Sequence, residues 1–300
     1  MNERCLCRRD ALRVLAAVGA AGALLAMRSR CAKAQPPCDV SVRARLEDYS
    51  WDELSAISRA LTDAANLQEA LSIAAGYHLV TEAGKIDGSQ TKALELQDGS
   101  SASVFICGIR HDLRSDGLGQ TGLTFMFRDA VCKRAMNEEP TNAGGWAASQ
   151  MRGYLDAAVE DLLPYELASV IVPVEKRTNN MGATDDIDNV NATSDRLWLF
   201  SAAELGLHVD WLYGGTQSQM LAAEGSTYQV FYDTPRDSAA FSKLYSKAVP
   251  GATGPEYWWE RSPFPYNGST SLFCVARVAY PELDGRLANK LADVVPGFCV

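Results

Sequence analysis

The chain has 300 residues, of which 47% are hydrophobic and 22% charged, and its formal net charge is −9. That is ample apolar material for a sizeable core, while the acidity argues against nucleic acid and anionic lipid as partners, since a negative surface repels both. Six Trp and eleven Tyr supply large amphipathic rings, which serve cores and sugar- or protein-facing sites alike.

Residues 1–34 read as an export leader of twin-arginine type. Arg8-Arg9 is followed by Asp10-Ala-Leu-Arg13 and an apolar run from Val14 to Met27, and Ala32-Lys33-Ala34 supplies the small residues a signal peptidase accepts. Gln35 would be the new N-terminus. The run is rich in Ala and Gly, and Arg28, Arg30 and Lys33 precede the cut; both features fit the twin-arginine route better than the general one. Cys7 and Ala11 depart from the usual Ser/Thr and Phe. The run is short for a spanning helix, so a membrane is expected as a partner only through this segment if it stays uncleaved. Cys31 lacks the small apolar box that lipidation needs. Removal takes seven Lys/Arg and two Asp/Glu with it, leaving 21 against 35, a net charge of −14. The predicted location is secreted or cell-surface.

Residues 35–48 form an irregular lead-in, and 49–300 are predicted as a single α+β domain. Ser50-Trp51-Asp52-Glu53 has capping-box spacing and opens a helix to about Ala65, with Leu54, Ile57 and Leu61 on its buried face. A second helix is predicted over Leu67–Ala75. Ala93–Leu96 and Val104–Ile109, joined through Asp98-Gly99-Ser100, predict a hairpin. Leu123–Phe127 reads as a strand, Trp146–Asp161 as a helix stopped by Pro164, and Ser169–Val174 and Leu197–Phe200 as strands. Three late runs (Tyr257–Trp259, Leu272–Val278 and Val294–Val300) complete the set. Strands are scattered rather than alternating with helices, which excludes a doubly wound sheet.

No cofactor motif survives testing. Gly117-Leu-Gly-Gln-Thr-Gly122 has GxGxxG spacing, but a dinucleotide loop follows a strand and opens a helix, and here a polar loop precedes it and a β run follows. Asp185-Asp186-Ile-Asp188 offers oxygen ligands without the Gly and Glu of an EF-hand, and reads as a solvated turn before a calcium loop. His111-Asp112 is the single His beside a carboxylate. Loop-stabilising hydrogen bonds are its simpler use, acid/base work the alternative. Cys38, Cys107, Cys132, Cys274 and Cys299 remain after the leader. One disulfide is expected at most, with Cys274 and Cys299 as possible neighbours, and otherwise buried thiols. Tyr257-Trp258-Trp259-Glu260-Arg261-Ser262-Pro263, followed by Tyr266-Asn267, is the densest aromatic cluster. Alternation on a strand predicts one Trp in the core and one available to a ligand.

Taken in order, several motifs resemble the bacterial domain-of-unknown-function family numbered 6273. They are His111-Asp112, Gly122–Phe125, Gly144-Gly145-Trp146, Arg152-Gly-Tyr-Leu155, Asp195-Arg-Leu-Trp198, Ser201-Ala-Ala-Glu204, Tyr257-Trp-Trp259, Arg261-Ser-Pro263 and Val295-Pro-Gly-Phe298. Glu260 departs from the apolar residue expected between the Trp pair and Arg-Ser. The resemblance implies a secreted or surface protein and brings no activity with it. Its Trp-Trp…Arg-Ser…Gly-Phe ending is also similar to the C-type-lectin-like fold, an analogy of fold. Together these readings predict an exported module binding a glycan or a protein through Trp146, Arg152, Trp258, Trp259, Arg261, Tyr266 and Asn267. For Arg152 and Arg261, fixing loops through bidentate bonds is the simpler role. The alternative is an extracellular enzyme with His111 and Asp112, or Asp185 to Asp188, in its site. No cofactor is expected.

Overall fold

Helix α1 (Trp51–Asp63) starts where its capping box says it should. Ser50 Oγ accepts from Glu53 N, and the Glu53 carboxylate accepts from Ser50 N at 2.8 Å. This satisfies two of the donors that a helix N-terminus leaves open. Helix α2 (Leu67–Gly76) is capped by Asn66. The computed structural model describes residues 39–207, 215–254, 257–265, 269–277 and 280–300. The leader, Cys38, His208, Tyr266 and Asn267 lie outside the described residues.

The strands come next: β1 (Thr91–Glu95), β2 (Ser101–Ile109), β3 (Leu123–Phe127) and β4 (Cys132–Arg134), then helices α3 (Gln150–Asp161) and α4 (Tyr165–Ala168). A polar hairpin, β5 (Val174–Asn179) and β6 (Val190–Asp195), precedes the short β7 (Trp198–Leu199). Helices α5 (Gly215–Ala222), α6 (Gln229–Asp233) and α7 (Ala239–Tyr245) lead to β8 (Trp258–Pro263), β9 (Leu272–Arg277), β10 (Tyr280–Leu287), β11 (Ala292–Val294) and β12 (Pro296–Cys299). They make two five-stranded sheets, ordered β1-β2-β3-β12-β7 and β10-β9-β8-β11-β4, beside the β5-β6 hairpin. The result is the α+β class that the sequence predicts.

The last strand enters the middle of the first sheet, between β3 and β7, antiparallel to both. All five residues of β3 are buried. Helix α1 covers this region: Leu54, Ile57 and Leu61 are fully buried, and the Trp51 ring meets Phe125 and Phe298 edge-on at 5.5 and 5.9 Å. Two close approaches demand glycine. A Cβ on Gly122 would stand 2.0 Å from the Ser58 carbonyl oxygen of α1, and one on Gly297 would stand 2.5 Å from the Phe200 ring.

Three expectations are corrected. The apolar run Ser169–Val174 is not a strand. Residues 169–173 pair through the single bridge Val172 to Cys299, and Val174, which also bridges Arg114, is already the first residue of β5. Proline at 173 brings no N–H to a ladder. Cys274 and Cys299 are not neighbours, because β9 and β12 belong to different sheets. Cys107, Cys132, Cys274 and Cys299 are all free thiols. The stretch 201–256, without assigned elements in the sequence reading, carries three helices. No helix among the described residues is long and apolar enough to cross a membrane.

Candidate functional site

The aromatic cluster is core. Trp258 and Trp259 are both fully buried, so the expected division into one inner and one available ring does not occur. Strand β8 lies inside its sheet, between β9 and β11, and every residue along it is buried. Alternation then sends the two rings to opposite faces that are both covered. Trp258 Nε1 donates to the Tyr245 carbonyl at 3.1 Å and Trp259 Nε1 to the Arg134 carbonyl at 2.8 Å. Trp146 is likewise fully buried and donates to Asp195 Oδ2 at 3.1 Å. Arg152 meets the same carboxylate, Nε to Oδ1 at 2.6 Å, and donates to the Ser194 carbonyl at 2.9 Å. Asp195 thus ties α3 and the loop before it to β6, and neither side chain is left free to face a ligand. Glu260 is fully buried and neither carboxylate oxygen has a hydrogen-bond partner among the described residues. Burial and the nearby Glu224 push its carboxyl well above the usual range, so it stays protonated.

Arg261 is the centre of a buried charge network. Its guanidinium donates to both oxygens of Glu204, to Thr178 Oγ1, and to the carbonyls of Leu199, Arg177 and Glu224. That satisfies the fork geometry that makes Arg tolerable inside a protein. Glu204 is held by its own turn, a second capping box in which Ser201 N donates to Oε2 at 3.1 Å and Glu204 N to Ser201 Oγ at 3.3 Å. Its other oxygen accepts from Lys176 Nζ at 3.1 Å. Lys176 also donates to Tyr228 Oη at 2.7 Å and to Asp112 Oδ1, with the Trp198 ring centroid 4.1 Å away. Asp112 accepts from Tyr228 Oη at 2.7 Å and from Thr124 Oγ1 at 2.6 Å. Burial alone would raise its carboxyl, but Lys176 overrides that and holds it well below the usual range. Lys176 is held up by Asp112 and Glu204 against the opposing effect of burial. The four charges come from the loop after β2, from β5, from the turn after β7 and from β8. Asp112 and Arg261 stand out as site candidates in the sequence, whereas Lys176, Glu204 and Tyr228 do not. The Ser201-Ala-Ala-Glu204 spacing is a capping box legible in the sequence; nothing in the sequence marks Lys176 as inward.

His111 packs flat on Tyr228, ring centroids 3.8 Å apart, and its Nε2 lies 3.0 Å from the Ser226 carbonyl oxygen and 3.1 Å from Ser226 Oγ. Its Nδ1 is 3.6 Å from Asp112 Oδ1, beyond hydrogen-bond distance. The acidic run is spent on local structure: Asp185 accepts from Thr216 Oγ1 at 2.9 Å, and Asp186 caps the 3₁₀ turn Ile187–Asn189. Among the described residues no three His, Cys, Asp or Glu side chains are placed to hold a metal ion.

A surface cleft of about 370 Å³ opens between α1, the residues before β3 and the segment 169–173. Its polar lining is Ser55, Ser58, Arg59, Thr62, Arg114, Thr121 and Ser169. Arg59 is exposed, reaches Ser55 Oγ at 3.1 Å and pairs with no carboxylate among the described residues. Arg114 pairs with Asp116 of its own loop. Leu113 and Leu118 on that loop are 53% and 71% exposed.

No curated protein and no solved structure matches the chain, so the lectin-like similarity of the ending rests on sequence alone. A family model does match, described as a domain of unknown function and covering residues 121–299, from the lip of the cleft to the last strand. It contains the Lys176, Glu204, Tyr228 and Arg261 network and both sheets' central strands. With more than half its length matched, the chain belongs to the DUF6273 family of domains of unknown function.

Proposed function

We propose that this chain is an exported, secreted or cell-surface binding module that grips an acidic glycan in the cleft beside α1. One observation carries the reading. In a chain of net charge −9, the guanidinium of Arg59, paired with no carboxylate among the described residues, stands over a cleft lined with five hydroxyl residues. Hydroxyls supply directional bonds to sugar hydroxyls, and a guanidinium supplies the fork that matches a carboxylate or sulfate. The volume lies at the small end for ligand sites, which suits one or two sugar rings. Of the aromatic residues expected to do this work, Trp146, Trp258 and Trp259 are in the core and take no part.

The enzyme alternative has less behind it. Asp112 is sealed by Lys176, Tyr228 and Thr124, and His111 is engaged at Ser226. The acidic residues 185–188 form a turn rather than converging on a cleft. Export is supported by the Arg8-Arg9 leader and its Ala32-Lys33-Ala34 site.

The test is a glycan array carrying uronate and sulfated glycans with their neutral counterparts. Wild type is expected to bind the acidic members, and Arg59→Ala to bind them about 10–100-fold more weakly, the loss of one charge-assisted hydrogen bond. Binding that ignores the acidic group, or that survives Arg59→Ala unchanged, would overturn the reading.

A further inference from the structure

The Lys176 amine, the Asp112 carboxyl and the Glu204 carboxylate meet in a closed site. Lys176 is 1% exposed, Asp112 5% and Glu204 3%. Lys176 Nζ contacts an oxygen of each carboxyl group. The site is walled by the Trp198 and Tyr228 rings, 4.1 and 5.3 Å from Nζ. An amine and a carboxyl held together in a buried site are reactants for an amide. In solution that condensation is disfavoured by water and by the low chance of encounter. Fixed orientation removes the second obstacle, with effective concentrations of about 10⁵–10⁸ M in well-aligned cases, and burial removes the first.

We propose that Lys176 and Asp112 condense to an intramolecular isopeptide bond, with Glu204 as the proton relay. The ion pair converts to a neutral amine and a neutral acid by transfer of one Nζ proton to the carboxyl group. A dry site lowers the cost of that transfer, since neither neutral partner needs solvating. The Nζ lone pair then forms a bond to Asp112 Cγ, and the C=O electron pair moves onto oxygen. Glu204, which Arg261 and Lys176 keep ionised against the pull of burial, takes a second proton from nitrogen and passes it to the departing oxygen. Collapse re-forms the C=O bond and breaks the other Cγ–O bond. Water leaves with that oxygen and the two protons that Nζ has given up; Glu204 ends as it began, and no oxidant or co-reactant is consumed.

The surroundings suit each stage. Lys176 Nζ lies on Oδ1, which takes its proton and departs, while Thr124 Oγ1, 2.6 Å from Oδ2, donates to the oxygen that gathers charge, as an oxyanion donor does. Tyr228 Oη, 2.7 Å from Oδ1, steadies the departing oxygen. The bond would staple the loop after β2 to the middle of β5, two segments otherwise joined by non-covalent contacts, the ion pair and the hydrogen bond from Glu175 N to the Leu113 carbonyl at 2.8 Å. In a chain predicted to work outside the cell, such a staple resists unfolding without a disulfide, and all four described cysteines are free. The inference does not depend on the ligand proposed for the cleft.

The experiment is the intact mass of the folded, purified full chain, measured after denaturation, followed by peptide mapping. The expected wild-type mass is lighter than the sequence mass by one water. Trypsin should fail to cut after Lys176 and yield a branched peptide joining the Lys176 and Asp112 segments. Asp112→Asn should instead lose one ammonia, because the amide nitrogen then leaves, and Lys176→Met should keep its full mass. A full-length wild-type mass with normal cleavage after Lys176 overturns the proposal, as does a water loss that maps to an Asp-Gly pair such as Asp98-Gly99. The wild-type measurement decides even if a variant fails to fold.

Discussion

Glu224 is buried beside Arg261 and shows how the network sets its own pH dependence. Its Oε1 accepts from Asn179 N at 2.9 Å and Oε2 from Ser262 Oγ. Burial raises its carboxyl and Arg261 pulls it back only in part, leaving it at about 7 against an ordinary 4.5. Between those values the folded chain keeps a proton that the unfolded chain has released. The stabilisation is therefore complete below the unfolded value and is lost as pH rises through the folded one. At roughly 1.4 kcal/mol per unit, the loss is about 3 kcal/mol. Glutamine keeps the bond from Asn179 N on its oxygen and reverses the other, its amide donating to Ser262 Oγ, without titrating. The unfolding free energy of wild type relative to Glu224→Gln should thus fall by about that much between about pH 4.5 and 7. Urea titrations at several pH values measure it, and a difference independent of pH would show that Glu224 is ionised when folded. Glu260 adds a slope of the same sign in both proteins, and because burial rather than Glu224 is its larger cause, taking the difference removes most of it.

At the scale of elements, legibility followed the chemistry of the buried face. Helix α1 could be read from Ser50, Glu53 and the Leu54, Ile57, Leu61 stripe because its inner face is apolar and its cap local. The β5-β6 hairpin could not. Its inward positions include Lys176 and Thr178, polar residues made acceptable only by partners 28 to 83 positions away in sequence. The neighbouring run 169–174 looked more like a strand than β5 does. The same mismatch hid the candidate site: Trp258 and Trp259 advertise binding by composition, yet a strand covered on both faces consumes them, and the cleft's Ser55, Arg59 and Thr62 look like ordinary helix surface. The legible element offers a clean measurement. Ser50→Ala removes the side-chain half of the α1 capping box at an exposed position and should cost about 0.5–2 kcal/mol. Ser50→Thr should restore most of it. Equal stability of wild type and Ser50→Ala in denaturant titration would mean that packing of Trp51 and Leu54 alone fixes where α1 begins.

The whole molecule sets a condition on the proposed ligand through its charge. The full sequence carries −9 and the chain without its first 34 residues −14, so an acidic glycan approaches against a net repulsion and is attracted only close to Arg59. The two fields have different ranges. At about 0.01 M salt the screening length is about 30 Å, comparable to the domain, and at 0.15 M it is about 8 Å. Added salt therefore removes the long-range repulsion before it weakens the guanidinium contact in the cleft. The association rate for an acidic glycan should rise between about 0.01 and 0.15 M salt, while the dissociation rate, governed by the contact itself, should rise only modestly. A neutral glycan of the same size should show neither trend. Surface-immobilised protein with glycan flowed across it reads both rates. An association rate that falls steadily with salt would mean that a positive field dominates the approach, and the cleft would then have to be part of a larger basic surface than Arg59 and Arg114 provide.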